Sequence, residues 1–292
     1  MAKGDRIRGR WSGSASGRAL CTAVLATLAL MSVALFLLVG VGIVGVPAGL
    51  NHSDASISLR LPDRLLEQIE EVGEGKHEPW SEIISWTPRA SLVHNFLTDD
   101  ECDHLIRVAM PLMQKSTVVD SQTGGSRDSR VRTSSGMFLN RGQDRVISEI
   151  EDKIAKLTFI PKDHGEGIQV LHYEPGQKYD AHHDFFYDTV NTRNGGQRIA
   201  TLLMYLTDVE EGGETVFPKS AKNSSSLPWH NQLSECGRRG VSVRPKRGDA
   251  LLFWSMSPDA QLDHSSLHGG CPVIKGDKWS ATKWMRVSEY KL

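Results

Sequence analysis

The sequence predicts a mainly β fold of the α+β class, a double-sheet jelly roll with flanking helices, preceded by a membrane-spanning helix. Three observations carry this prediction. A stretch from Ala19 to Leu50 holds no charged residue. Two helical patterns follow in the first part of the remaining chain. From Glu166 onward, short apolar runs alternate with Gly- and Pro-rich turn signals.

The charge-free stretch follows Lys3, Arg6, Arg8, Arg10 and Arg18. It is long enough to span a bilayer, which takes about 20 apolar residues. It also exceeds the core of a signal peptide, usually about 7–15 residues. The basic flank belongs on the cytosolic side. The expected organisation is a cytosolic tail over residues 1–18, a signal-anchor over 19–46, a lumenal stem over 47–79 and a catalytic domain over 80–292. That makes a single-pass protein of the endoplasmic reticulum or Golgi membrane with its catalytic domain in the lumen. The small residues Val46-Pro47-Ala48-Gly49 leave a cleaved signal as the alternative.

A length of 292 residues suits one catalytic domain plus an appendage. Lys plus Arg is 34 and Asp plus Glu is 35, a balance that gives nucleic acid nothing to bind. Oligomeric state is left open. Cys21 falls in the apolar stretch, so Cys102, Cys236 and Cys271 remain beyond it. An odd number implies a free thiol or an intermolecular bond, and a Cys236–Cys271 disulfide is a hypothesis that the lumen permits. Asn223-Ser224-Ser225 is a glycosylation acceptor in a polar stretch, and Asn51-His52-Ser53 also fits the pattern.

Thr98 and Glu101 form a capping-box signature ahead of Leu105, Ile106, Ala109 and Met110, with Pro111 set to end or kink that helix. Val146, Ile147, Ile150, Ile154 and Leu157 give a second helix one apolar face between Asp144 and Leu157. Ser121 to Arg132, rich in Ser, Gly and Arg, reads as a mobile loop able to close over a ligand. Strands are expected at Ile168–Tyr173, Ile199–Leu206, Glu214–Phe217, Val241–Arg244, Ala250–Trp254, Pro272–Ile274 and Lys278–Val287.

The chemistry lies among these strands. Tyr179-Asp180-Ala181-His182-His183-Asp184 is followed about eighty residues later by His268-Gly269-Gly270-Cys271-Pro272. Side chains at i and i+2 of an extended segment share a face. His182 and Asp184 therefore point together, while His183 points to solvent or the sheet exterior. With His268 they supply two imidazoles and one carboxylate, the set that holds non-haem Fe(II) and leaves positions open for co-substrate and O₂. His264 competes with His268, although the glycines after His268 favour the latter by allowing close backbone approach. His172 reads as a packed strand residue. Lys278, ten residues past His268, is suited to hold the far carboxylate of a bidentate acid on that metal, with Thr215 adding a hydroxyl. Trp279 and Trp284 read as core packing. Zinc hydrolases use related ligand sets, but the helical H-E-x-x-H motif is absent here.

The stretches Glu166 to Tyr173, Gly176 to Tyr179, His182-His183-Asp184, Gly212 to Pro218, Gly248 to Trp254 and Ser266 to Val273 closely resemble the plant-type prolyl 4-hydroxylases. The resemblance runs from about Trp80 to the C-terminal end. It implies a double-stranded β-helix that binds Fe(II), 2-oxoglutarate and O₂, with L-ascorbate keeping the iron reduced. It implies His182, Asp184 and His268 as iron ligands. It places Lys278 on the distal carboxylate of 2-oxoglutarate, in a pocket shared by Thr215 and Tyr173. For the proline-rich polypeptide substrate it implies Tyr179, Arg198 and Trp284, and also Glu166, Arg132 and Ser134. The implied reaction couples decarboxylation of 2-oxoglutarate to hydroxylation of peptidyl proline at C4, in secretory or cell-wall proteins. Ala181 departs from the family, where many members carry proline before the first histidine. Two alternatives stand beside this reading. One is a lumenal dioxygenase acting on another residue such as lysine. The other is a catalytically silent jelly-roll binding protein, which the intact His182, Asp184, His268 and Lys278 argue against.

Overall fold

The computed structural model describes residues 78–119, 126–128 and 131–291. The expected tail, anchor, most of the stem, Cys21, the Asn51 acceptor and most of the Ser121–Arg132 loop lie outside the described residues. Among those described, no helix is long and apolar enough to cross a membrane.

A hairpin comes first, β1 (Trp80–Trp86) and β2 (Arg89–His94). This corrects the expected order of helices first and strands after. Edge strand β1 escapes a period-two reading because a register shift falls between Ile83 and Ser85, and because Trp80, Ile83 and Trp86 are exposed. Helix α1 (Asp99–Ala109) follows, and its capping box closes in both directions: the Glu101 amide donates to Thr98 Oγ1 and the Thr98 amide to the Glu101 carboxylate. Pro111 has no amide hydrogen to continue the ladder, and Met110–Leu112 is a single 3₁₀ turn.

Short strands β3 (Gln114–Lys115), β4 (Thr117–Val119), β5 (Ser126–Asp128) and β6 (Ser135–Leu139) lead to helix α2 (Arg145–Thr158). The carboxylate of Asp144 accepts from the Ile147 amide and caps α2, whose Ile147, Ile150 and Ile154 are buried. The remaining strands are β7 (Ile168–Tyr173), β8 (Tyr179–His182), β9 (Arg198–Tyr205), β10 (Glu211–Gly212), β11 (Thr215–Phe217), β12 (Val241–Val243), β13 (Ala250–Trp254), β14 (His268–Gly270), β15 (Val273–Lys275) and β16 (Lys278–Arg286).

The strands pair antiparallel into an eight-stranded sheet, ordered β1-β2-β13-β9-β16-β7-β6-β3, a four-stranded sheet, ordered β12-β11-β14-β8, and two two-stranded sheets, β4-β5 and β10-β15. The arrangement is the expected jelly roll. Strand alternation sorts the large sheet's side chains between two cores. Ala200, Leu202 and Met204 of β9 pack with the buried faces of α1 and α2. Tyr205 of β9 and Phe253 of β13 face the other way, onto Phe217, Val241 and Val243 of the small sheet. Strand β16 alternates in the same manner. Lys283 points to the helix side, where its ammonium meets the Glu151 carboxylate of α2 at 2.6 Å, while Lys278 points between the sheets.

The long excursion between β11 and β12 is stapled back beside the small sheet. Cys236 and Cys271 are bonded with Cα atoms 5.7 Å apart, and buried Glu214 accepts from the Ser234 amide and hydroxyl at 2.6 and 2.8 Å. Cys102, inside α1, is buried and is the free cysteine among the described residues.

Candidate active site

Strand pairing brings the two histidines together. His268 of β14 lies opposite His182 of β8, and their rings are 4.4 Å apart, centre to centre. The approach depends on Gly269, where a Cβ would stand 3.1 Å from the Tyr179 carbonyl oxygen and 3.2 Å from the Ala181 nitrogen. Asp184 follows β8 directly, and its carboxylate oxygens are 3.6 Å from Nε2 of each histidine. Each ring is fixed in one tautomer. Nδ1–H of His182 donates to the Asp180 carbonyl and Nδ1–H of His268 to the Ser266 carbonyl, both at 2.9 Å. Both Nε2 lone pairs therefore face Asp184. The Thr201 hydroxyl donates to the same carboxylate at 2.6 Å.

Burial pushes the Asp184 carboxyl up, but His268, His182 and Arg198 outweigh it and hold the carboxyl well below the usual range. Burial brings the His268 imidazole down to about 4, against the pull of Asp184. At neutral pH the site thus offers a carboxylate and a neutral imidazole. The three donor atoms lie within 4.8 Å of one another. Lone pairs that converge this closely repel unless a cation lies among them, so the donor set fits one divalent metal.

Lys278 stands at the far end of the same pocket, with Leu171, Leu203 and Phe253 along the walls. It is buried, its Nζ donates to the Gly213 carbonyl at 2.7 Å, and no carboxylate pairs with it among the described residues. Gly213 presents that carbonyl from a left-handed turn at φ 68°. Burial lowers the Lys278 ammonium to about 8, with Glu214 opposing weakly. The Tyr173 ring lies 5.2 Å from the ammonium. The Thr215 hydroxyl, also in the pocket, accepts from Tyr205 Oη at 2.9 Å. A buried cation with spare donors and a neighbouring hydroxyl is a receptor for a carboxylate, so the residues also fit 2-oxoglutarate.

A wider cleft opens outward from the triad. Tyr179 stacks on His182 at 3.7 Å, and the Arg132 guanidinium lies 4.7 Å above the Tyr179 ring. Arg198 lies 3.8 Å over the Trp284 ring while its fork grips Glu166 at 2.7 and 2.8 Å. Arg286 shares Glu166 at 2.6 Å. Arg132, Tyr179, Arg198 and Trp284 line the cleft, and Arg132 Nε and Trp284 Nε1 are buried without a hydrogen-bond partner among the described residues. Trp284 therefore does more than fill the core. Glu166 and Ser134 line neither opening: Glu166 is held by the two arginines, and the Ser134 hydroxyl donates to Ser116 at 3.0 Å.

Of the two candidate second histidines, His268 joins the triad and His264 does not. His172 stacks on Trp279 at 4.3 Å and bonds Asp277, away from the pocket. Sequence reasoning missed Thr201 and Tyr205, which set the orientation of Asp184 and Thr215. Their signal is a polar group inside the apolar run Ile199–Leu206. It also missed Phe138, Phe186 and Tyr187 along the cleft, which carry no local signal.

Residues 168–286 match the family model of the 2OG-Fe(II) oxygenase superfamily. The chain is 60% identical over 273 residues to the probable prolyl 4-hydroxylase 10 of Arabidopsis thaliana, which covers 93% of this chain and 94% of that protein. It is 64% identical over 219 residues to prolyl 4-hydroxylase 5 of the same plant, covering 75% of each. Among solved structures it is similar to the viral collagen prolyl hydroxylase of Paramecium bursaria Chlorella virus-1 in complex with 2-oxoglutarate. That chain is 30% identical with a TM-score of 0.49, covering 68% of this chain and 95% of that one. With a converging His-Asp-His set, a buried lysine opposite it and relatives this similar over most of their length, the chain belongs to the plant-type prolyl 4-hydroxylases, Fe(II)- and 2-oxoglutarate-dependent dioxygenases.

Proposed function

We propose that the protein hydroxylates C4 of proline in proline-rich polypeptides of the secretory pathway, converting one 2-oxoglutarate to succinate and CO₂ for each hydroxyl formed. The observation that carries this reading is Lys278, a buried ammonium that no carboxylate pairs among the described residues, in one pocket with the triad. Iron and 2-oxoglutarate supply the oxidising chemistry when bound. The chain supplies position and dryness. His182, Asp184 and His268 would hold the metal, with Asp180, Ser266 and Thr201 fixing their orientation. Lys278 and Thr215 would hold the distal carboxylate of 2-oxoglutarate, while Leu171, Leu203 and Phe253 exclude water. In the cleft, the aromatic side chains of Tyr179 and Trp284 suit contact with the prolyl rings of an extended peptide. The unpaired Arg132 Nε–H and Trp284 Nε1–H suit its backbone carbonyls.

The test is 2-oxoglutarate turnover by the full chain with Fe(II), ascorbate and a poly-proline peptide, with His268→Ala beside it. Peptide-dependent succinate and a gain of one oxygen on proline, both lost in the variant, are the expected result. Turnover without a change in peptide mass would keep the dioxygenase and reject the substrate.

The protein is held in the membrane by residues 19–46 with its catalytic domain in the lumen. The charge-free run and its basic flank support this, as does the Cys236–Cys271 bond, which belongs to an oxidising compartment. Asn223 is exposed at the start of a turn, where its Oδ1 accepts from the Ser225 amide at 3.1 Å. That exposure suits a lumenal glycan. Protease protection of residues 80–292 in sealed microsomes, with a mobility shift on deglycosylation lost in Asn223→Gln, is the check.

A further inference from the structure

The cleft carries a further aromatic group that the chemistry above does not use. Tyr187 is 69% exposed and lines the same cleft as His182 and Asp184. Exposure of this size in a free surface tyrosine would carry no meaning, but this ring is fixed. His183 Nε2–H donates to the His264 carbonyl at 3.2 Å. That contact sets its tautomer, so its Nδ1 accepts from the Tyr187 hydroxyl at 3.1 Å. The Tyr187 ring meets buried Phe185 edge-on at 5.1 Å and is backed by the His264 ring at 6.3 Å. Its backbone is clamped as well. The Gln197 side chain bonds both the amide and the carbonyl of Phe186, and the Arg286 guanidinium bonds the carbonyls of Asn191 and Gly196 at 2.9 and 2.7 Å.

Tyr187 thus presents one aromatic face to solvent at small entropic cost, because its polar end and its loop are already ordered. His182 and Asp184 line the same opening as this ring, Tyr179 and Trp284. We propose that Tyr187 is a second ring-stacking subsite, which grips a peptide residue flanking the proline to be hydroxylated and makes the site selective for longer extended peptides. The proposal rests on the prolyl hydroxylase reading. It also gives His183 and His264 a role: they orient Tyr187 and do not bind metal.

The test compares a short peptide, one proline with a single residue on each side, with a long one carrying several ring-bearing residues on both sides. Steady-state hydroxylation and calorimetric binding under anaerobic conditions are measured for the full chain and for Tyr187→Ala. For the variant we expect KM and Kd of the long peptide to rise on the order of tenfold, about 1.4 kcal/mol. The short peptide should change less than twofold, and kcat should hold for both. Tyr187→Phe, which keeps the ring, should retain most of the long-peptide preference. An unchanged preference for the long peptide in Tyr187→Ala would overturn the subsite. So would a fall in kcat on both peptides, because the ring would then act through the metal ligands. A wild-type chain that hydroxylates neither peptide would remove the prolyl hydroxylase reading itself, whereas hydroxylation of both with no response to Tyr187→Ala removes only the subsite.

Discussion

Strand β16 carries two buried lysines five residues apart, and their surroundings could hardly differ more. Lys283 faces the helices and meets Glu151 at 2.6 Å. Lys278 faces the space between the sheets and hydrogen-bonds a backbone carbonyl, Gly213, at 2.7 Å, with no carboxylate paired to it among the described residues. Burial pushes both ammonium groups down, and each is opposed by an acidic neighbour, Glu151 for Lys283 and the more remote Glu214 for Lys278. A buried charge needs a counter-charge. Lys283 has its own, so it is part of the architecture. Lys278 lacks one, so it is a receptor. Burial alone would not have separated them, whereas the identity of the partner does.

Mutating each lysine breaks the comparison in opposite directions. The largest effect falls on stability. Lys283→Met leaves Glu151 buried and unpaired, a loss of about 3–5 kcal/mol. The expected fall in Tm is on the order of 10 °C, with 2-oxoglutarate KM unchanged in the protein that still folds. Adding Glu151→Gln to that variant should restore most of the loss. Lys278→Met should do the reverse: no loss of thermal stability, and 2-oxoglutarate binding weakened about 100-fold, near 2.7 kcal/mol. Calorimetry and thermal melts of the two variants decide both points, and a destabilised Lys278→Met would remove the distinction.

A smaller effect concerns pH. The folded protein holds Lys278 at about 8, below its ordinary 10.5, so the charged form that binds a carboxylate is lost as pH rises through about 8. Affinity for 2-oxoglutarate should fall above that pH, by at most about tenfold per unit. Over the same range the unfolded chain keeps the proton that the folded one has released. The ligand-free protein should therefore gain stability from this group as pH climbs from 8 toward 10.5. Both trends should vanish in Lys278→Met, and a pH-independent KM between 7 and 9 would speak against them. The smallest effect is that of Tyr205→Phe. It removes the hydroxyl that orients Thr215 beside the lysine, worth about 0.5–1.5 kcal/mol. A two- to tenfold rise in 2-oxoglutarate KM follows, with kcat preserved.

What could be read from the sequence follows the range of the interactions involved. The capping box at Thr98, the helix from Asp144 to Leu157 and the strands bounded by Gly-rich turns depend on residues close in sequence, and they lie where the pattern put them, within a residue or so. The β1–β2 hairpin was missed because its regularity belongs to its neighbours and not to its own alternation. The i, i+2 argument set His182 beside Asp184, but the choice of His268 over His264 is made by cross-strand register. The partner of Lys283 lies 132 positions away. Sequence shows two lysines on one strand, and only the fold shows which of them is already answered.

Gly269 bears on how the small sheet could ever be redesigned. His182 and His268 face each other beside a side chain that is not there, in a gap where even a methyl group would stand 3.1 Å from a neighbouring backbone oxygen. Backbone atoms cannot swing aside as a long side chain can, so the strands themselves would have to part. β8 and β14 act as the jaws of a gauge whose setting is one hydrogen atom wide. A chain with alanine at this position would keep its cores and its helices, yet would have to shift β8 against β14 by a few tenths of an ångström beside the two histidines.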